Sequence, residues 1–245
     1  MVENGSIMLK KSKIVVTGGS GRFGKILRKN CNSNYLFPDK KELNIMNYRS
    51  IFNYLKKKKA KILIHLAGLS RPIQIHTKDI SASISLNIIG TANVVMACKK
   101  LNVKIIYFST SYVYQGTKGN YKESDPLLPS NNYAWSKLGG ESSVHMYKNS
   151  LIIRASMTEK PFVHKQAFYN METNFIYHDE FIELFKKVLN QKGVLNIGGP
   201  TNSVYNFVKK TNPQIKKKKL DPKKNKLPLK ASMNLNLLKS ILKNS

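Results

Sequence analysis

An apolar run, Ile14-Val15-Val16, leads straight into Thr17-Gly18-Gly19-Ser20-Gly21-Arg22-Phe23-Gly24, and a helical spacing of Phe23, Ile26 and Leu27 follows. Strand, tight glycine turn and helix in that order leave few folds open. Glycines let the backbone approach a pyrophosphate closely, and the helix start offers unpaired N–H groups at the positive end of its dipole. A glycine spacing alone also suits a plain loop, so its meaning depends on what surrounds it.

The surroundings support it. The first 155 residues alternate short β-branched apolar runs with amphipathic stretches, the rhythm of βαβ units. Strands are expected at Lys13 to Thr17, Tyr35 to Phe37, Ile62 to Leu66, Val103 to Phe108 and Leu151 to Arg154. Helices are expected at Phe23 to Lys29, Arg49 to Leu55, Ile80 to Lys99 and Tyr133 to Tyr147. The third of these places Ile84, Ile88, Ala92, Val95 and Met96 on one side. The pattern predicts an α/β fold, a doubly wound parallel sheet that takes its ligand at the carboxyl ends of the strands.

After Ser156 the rhythm loosens. Met157 to Asn174 shows no clear period. Beyond it a helix is expected at His178 to Leu189, with Phe181, Leu184, Phe185 and Val188 inward, then a strand at Val194 to Ile197. Helices at Val204 to Lys209 and Leu235 to Leu242 close the chain, and the lysine- and proline-rich Gln214 to Leu227 reads as a mobile surface loop. The expected domains are 11–156, nucleotide-binding, and 157–245, small substrate-lobe elements interleaved with the last strands and helices of the main domain.

Charge is the feature most open to misreading. The 245 residues carry a net charge of +29, from 42 basic and 13 acidic side chains. Such a balance ordinarily suggests nucleic acid or an anionic surface. Yet only Arg22, Arg28, Arg49, Arg71 and Arg154 are arginine, and the lysine runs at 56–59 and 216–219 have no interleaved aromatics. Nucleic-acid readers favour arginine's planar fork and aromatic stacking platforms. Solvated lysine left by compositional drift is favoured over a specific nucleic-acid partner, although the charge would still steer a small dianion inward. No apolar run approaches the ~20 residues of a membrane span. Met1-Val2-Glu3-Asn4-Gly5 has no basic region followed by an apolar block, so no secretory leader is expected. Cys31 and Cys98 are too few and too far apart for a disulfide framework, and His145, His164 and His178 show no metal spacing. These signs point to a cytoplasmic protein without a membrane or metal requirement.

Chemistry enters with Tyr133-Ala134-Trp135-Ser136-Lys137. Tyr133 and Lys137 stand four apart on an expected helix and so emerge on one face. Tyrosine ordinarily titrates near ~10, but a neighbouring ammonium favours the phenolate and makes it a usable acid–base group. Ser109, Thr110 and Ser111 close the fourth strand, where a doubly wound sheet builds its site.

The glycine turn, the Ser109-Thr110-Ser111-Tyr112-Val113-Tyr114 segment and the Tyr133 to Lys137 motif together resemble the extended short-chain dehydrogenase/reductase family. Within it the chain is most similar to the sugar-nucleotide reductases of the dTDP-4-dehydrorhamnose type. Asn87-Ile88-Ile89-Gly90-Thr91, Tyr121, Glu123, Asp125, Pro129 and Gly139-Gly140-Glu141 add to the match. The resemblance covers residues 13 to about 156 well and the rest loosely. It implies Thr110 as the hydroxyl partner, Tyr133 as the acid and Lys137 as the group that tunes Tyr133 and grips the nicotinamide ribose. It implies Gly18, Gly21, Arg22, Phe23 and Gly24 around a pyrophosphate, and Asn44 and Ile45 by the adenine. Leu66, Ala67 and Gly68 would run along the cofactor, and Ser111 and Arg154 would face the substrate. For Arg154 a plain structural ion pair is an equal alternative.

The cofactor is NADPH or NADH. Asp39 after strand two suits ribose hydroxyls and NAD, whereas Arg22, Lys40 and Lys41 suit a 2′-phosphate and tip the reading slightly to NADPH. The stretch from Met157 to His178 is short for the family's substrate lobe. Two functions therefore stand: reduction of a 4-keto-6-deoxy sugar nucleotide, and a non-catalytic dinucleotide-binding subunit. An epimerase or dehydratase of the same family shares the motifs. A homodimer is compatible with the family, and the nucleotide-sugar substrate is the expected small-molecule partner.

Overall fold

A computed structural model describes residues 12–244. Residue 11, the expected start of the first domain, and the Met1 to Gly5 stretch lie outside the described residues. Among the described residues the strands are β1 (Ile14–Thr17), β2 (Tyr35–Leu36), β3 (Ile62–His65), β4 (Lys104–Thr110), β5 (Ser150–Ala155), β6 (Met157–Thr158), β7 (Gln166–Phe168), β8 (Glu172–Thr173), β9 (Ile176–Tyr177), β10 (Gly193–Ile197), β11 (Asn202–Ser203) and β12 (Lys216–Lys218). The helices are α1 (Arg22–Lys29), α2 (Tyr48–Lys57), α3 (Ile75–Lys78), α4 (Ile80–Leu101), α5 (Asn132–His145), α6 (His178–Val188), α7 (Val204–Lys209), α8 (Pro222–Asn225) and α9 (Asn236–Lys243).

The central sheet has six strands in the order β10-β5-β4-β3-β1-β2. Pairing is parallel between β1 and β2, β1 and β3, and β3 and β4. Strands buried on both faces read as continuous apolar runs, and Ile14 to Val16, Ile62 to Ile64, and Ile105 with Ile106 are all at or below 4% exposure. The strand order reverses at β1, with β2 on one side and β3 on the other, so the crevice beyond Thr17 and His65 is a topological switch point. The doubly wound α/β fold expected from the sequence is the one observed.

By contact density the chain divides into two units. One comprises residues to Phe108, Ser136–Ile152 and Leu189–Gly193; the other comprises Ser109–Trp135, Ile153–Val188 and 194–244.

Two expectations fail within these units. The single regular helix expected from Ile80 contains a π-helical turn at Ser85–Ile89, whose extra residue shifts the register. Ser83, Asn87, Gly90, Thr91, Val94, Ala97 and Cys98 are therefore buried, and of the residues expected on one side Val95 is 9% exposed whereas Ile84 and Met96 are 43% and 51% exposed. By length and composition this same helix is apolar enough to cross a membrane, although no such run was expected. In the fold it is the crossover between β3 and β4, packed against α2.

The second failure is the lysine-rich segment. It is not a free loop: β12 pairs in parallel with β7, and Asn170 brackets Leu220, accepting its N–H at 2.7 Å and donating to its carbonyl at 3.0 Å. Ile215 and Leu220 enter a cluster with Ala167, Met171, Val204, Tyr205 and Val208. Lysine runs conceal such anchors because the two apolar residues are spaced too widely to form a period. In α6, Ile182 is buried along with Phe181, Phe185 and Val188, while Leu184 is only partly covered.

Candidate active site

In the first unit the glycine turn forms a cradle that only glycine fits. Gly18 has φ +74°, and a Cβ there would lie 2.5 Å from the Ala67 nitrogen. A Cβ on Gly24 would lie 2.5 Å from the Gly18 carbonyl oxygen. The Gly21 N–H donates to that same oxygen at 3.0 Å, and the Lys25 N–H donates to the Gly21 carbonyl at 2.9 Å to start α1. Gly21, the N-cap of α1, has no side chain to cap the helix start, and a helix N-terminus suits an anion. Phe23 buries its ring against Phe108, centroids 5.3 Å apart, so what it can offer a phosphate is its main-chain N–H. Leu66 and Ala67 hang from β1 through N–H bonds to the Thr17 carbonyl and hydroxyl at 3.2 and 3.4 Å. Gly68 follows, exposed.

The candidates after β2 are held in local turns. Asp39 Oδ1 accepts from the N–H groups of Lys41 and Glu42 at 2.8 and 2.9 Å, while Glu42 Oε2 accepts from the Asp39 N–H. Asn44 Oδ1 accepts from the Met46 N–H at 3.0 Å, and Ile45 is buried against Gly90. Arg22 is exposed and donates to Ser70 Oγ at 3.1 Å. Arg28, which the sequence reading passed over, lies over the Phe37 ring at 4.6 Å.

Behind the cradle runs a buried polar chain. His65 lies between Thr17 Oγ1, 2.8 Å from Nδ1, and Thr91 Oγ1, 3.1 Å from Nε2. Thr91 gives its own proton to the Asn87 carbonyl at 2.8 Å, so it accepts from His65 and places the imidazole proton on Nε2. Burial, with the Lys137 charge adding to it, lowers the His65 pKa to about 3. Asn87, at the centre of the π-helical turn, accepts from the Leu69 N–H at 2.7 Å and donates to the Leu69 carbonyl and to Ser136 Oγ, both at 2.8 Å. That turn therefore ties the loop after β3 to helix α5. His65 carried no sequence signal beyond being the one polar residue in an apolar strand. Asn87 was visible only as part of a family match.

Tyr133 and Lys137 lie one turn apart on α5, as expected. Lys137 is half-buried, and desolvation brings its pKa down to about 7, against a smaller upward pull from Glu141. Its Nζ sits 4.1 Å from the centre of the Tyr107 ring, and the Tyr107 hydroxyl donates to the Lys137 carbonyl at 2.9 Å. Gly140 allows the close packing: a Cβ there would lie 2.4 Å from the Asn87 carbonyl oxygen and 2.7 Å from the Tyr107 hydroxyl.

In the second unit Thr110 and Ser111 are 8% and 2% exposed at the end of β4. Thr110 Oγ1 accepts from the Tyr112 N–H at 3.3 Å, which leaves the hydroxyl proton to be donated elsewhere. Arg154 is 4% exposed, and its Nη1 donates to the Tyr114 hydroxyl and the Glu123 carbonyl, both at 2.9 Å. The Tyr114 hydroxyl in turn donates to Asn196 Oδ1 at 2.8 Å. These partners hold Arg154 inside the fold, the structural place that stood as an equal alternative to a contact with substrate. Among the described residues no group of three or more His, Cys, Asp and Glu side chains could hold a metal ion.

Residues 12–168 match the family described as RmlD substrate binding domain. The dTDP-4-dehydrorhamnose reductase of Aggregatibacter actinomycetemcomitans is 28% identical over 203 residues, 78% of this chain and 64% of that protein. Methionine adenosyltransferase 2 subunit beta of Pongo abelii is 24% identical over 148 residues, 56% of this chain and 44% of that protein. The chain thus spans less than two thirds of the length of these curated relatives. The crystal structure of dTDP-4-dehydrorhamnose reductase from Bacillus anthracis in complex with NADP superposes with a TM-score of 0.82 at 23% identity, covering 94% of this chain and 92% of that one. With the family match extending across well over half of its residues, the chain belongs to the RmlD substrate binding domain family.

Proposed function

We propose that the protein is an NAD(P)H-dependent reductase of a 4-keto-6-deoxy sugar nucleotide. The observation that carries this is the pair on α5: Tyr133 one turn from a half-buried Lys137, in a chain whose glycine turn fits a pyrophosphate. When bound, the nicotinamide cofactor supplies the hydride. Gly18, Gly21, Gly24 and the first-turn N–H groups of α1 hold its pyrophosphate. Thr110 donates its hydroxyl proton to the carbonyl oxygen of the substrate and orients it. Tyr133 delivers the proton to that oxygen, and Lys137 in its positive form favours the phenolate that remains. Ser111 is a further hydroxyl for the sugar.

Within this reading the cofactor is NADPH. Exposed Arg22, Lys40 and Lys41 suit a 2′-phosphate, while the Asp39 carboxylate is engaged in holding its own turn. The reductase from Bacillus anthracis, similar in fold, was crystallised with NADP. A cytoplasmic, homodimeric protein without a specific nucleic-acid partner completes the proposal.

The test is binding of NADPH and NADH, followed by cofactor oxidation against a panel of 4-keto-6-deoxy sugar nucleotides. Oxidation lost in Tyr133→Phe, with cofactor binding retained, is the expected result. Equal rates in Tyr133→Phe and wild type would refute the mechanism. The similarity to an adenosyltransferase beta subunit favours a second reading, a dinucleotide-binding subunit without turnover. Tight cofactor binding, no oxidation of any substrate, and co-purification with another enzyme at fixed stoichiometry would establish it.

A further inference from the structure

Thr110 is held by the turn that follows it. Its hydroxyl accepts from the Tyr112 N–H, and the Tyr114 N–H donates to the Ser111 carbonyl at 3.2 Å, closing a 3-10 turn over Ser111–Val113. A displacement of that turn carries the Thr110 hydroxyl with it. The far end of the turn is Tyr114, whose fully buried ring stacks on Tyr121 with centroids 4.8 Å apart and planes 13° from parallel.

The Tyr114 hydroxyl has one arrangement open to it. A guanidinium can only donate, so the hydroxyl accepts from Arg154 and its own proton goes to Asn196 Oδ1. That sets the Asn196 amide, whose Nδ2 donates to the carbonyls of Tyr121 and Asn234 at 2.9 and 3.3 Å. The Asn196 N–H donates to Glu123 Oε1 at 3.0 Å, on the same residue whose carbonyl accepts from Arg154. Burial raises the Tyr114 pKa and so keeps the phenol a donor. Apolar residues of equal volume often fill such a space at no greater cost, so what a buried charged network adds here is direction. Each of its bonds resists bending, because a polar atom pulled off its partner in this interior finds no water.

We propose that Tyr114 is a positioning residue: its hydroxyl, gripped by Arg154 and Asn196, fixes the turn that places the Thr110 hydroxyl. Tyr114 does not touch the substrate. It acts on the reaction through Thr110, by setting the direction from which that hydroxyl meets the substrate carbonyl. The effect on the carbonyl rests on the reductase reading, whereas the hold on the turn does not.

The test uses the full chain and two variants. Tyr114→Phe keeps the stacked ring and removes the oxygen at the centre of the network. Tyr177→Phe is the control, since it removes a buried phenol oxygen of the same unit that is bonded to Thr211, outside the network. Amide hydrogen exchange should be about tenfold faster or more at residues 111–114 in Tyr114→Phe and unchanged there in Tyr177→Phe. In NADPH oxidation with a 4-keto-6-deoxy sugar nucleotide, Tyr114→Phe should lower kcat about tenfold in the wild-type background and less than about twofold in Thr110→Val. A residue that acts through Thr110 loses its effect once that hydroxyl is gone, whereas a general softening of the unit costs the same factor in both backgrounds. Equal factors in the two backgrounds, an equal loss of kcat in Tyr177→Phe, or unchanged exchange at 111–114 would overturn the proposal. A wild-type chain that oxidises no NADPH removes the reductase reading instead, and the exchange rates then decide the hold on the turn.

Discussion

Acid should unfold this protein through His65, and the size of the effect follows from its surroundings. The ring is 1% exposed, with Thr17 on one nitrogen and Thr91 on the other. Thr91 has already given its proton to Asn87, so His65 must donate from Nε2 and accept at Nδ1. A second proton on Nδ1 would face the Thr17 hydroxyl proton and add charge beside Lys137. The ordinary value of 6.5 accordingly falls to about 3. A base held below its unfolded pKa is favoured neutral by the fold. Its contribution is whole above pH 6.5 and is lost as the pH drops from 6.5 toward 3. At about 1.4 kcal/mol per pH unit, going from pH 7 to pH 5 removes about 2 kcal/mol through this one ring. That is a large share of the ~5–15 kcal/mol that holds a domain folded. Urea unfolding at pH 7 and pH 5 would be compared for wild type and His65→Gln. Glutamine can still accept from Thr17 and donate to Thr91 but does not titrate. The variant should be less stable at pH 7 yet lose about 2 kcal/mol less than wild type on acidification. Equal losses in the two proteins would refute the assignment of the acid sensitivity to His65.

Gly18→Ala combines a positive φ with a Cβ 2.5 Å from the Ala67 nitrogen, so it should cost about 2–4 kcal/mol and at least tenfold in NADPH affinity, read by thermal unfolding and titration. Tyr114→Phe removes the acceptor for Arg154 and the donor to Asn196 while keeping the ring, and should cost about 1–3 kcal/mol in urea unfolding. Lys137→Met should raise the Tm of the cofactor-free protein at pH 6. Burial lowers the Lys137 pKa from 10.5 to about 7, so the penalty of its charge is fully present below pH 7 and fades as the pH climbs toward 10.5. At pH 10.5 the difference in Tm should shrink, and an equal gain at both pH values would count against the charge.

The sheet and the cradle were legible because each rests on a local signal. A buried parallel strand must be an unbroken apolar run, and a turn with φ near +74° pressed against Ala67 must be glycine. Tyr133 and Lys137 were legible because a spacing of four survives in any helix. Contacts between distant elements were not. Nothing adjacent to Arg154 announces Tyr114, forty residues earlier, as its partner, and nothing near Leu220 announces Asn170. The π-helical turn escaped because a regular 3.6-residue period was applied through it, which put Ile84 and Met96 on one side with Val95, whereas in the fold Val95 is buried and the other two are exposed.

That turn also sets how the chain can change. Removing one residue between Ser85 and Ile89 would restore an ordinary helix and swing everything before it by about 100° relative to everything after. Asn87 would leave Leu69 and Ser136, and Gly140 would face a side chain where it now meets a carbonyl oxygen. Elsewhere on the helix a swap of side chains perturbs one contact; here a change of length by one disconnects the loop after β3 from the helix that carries Lys137. The segment therefore tolerates variation in what its residues are far better than variation in how many there are.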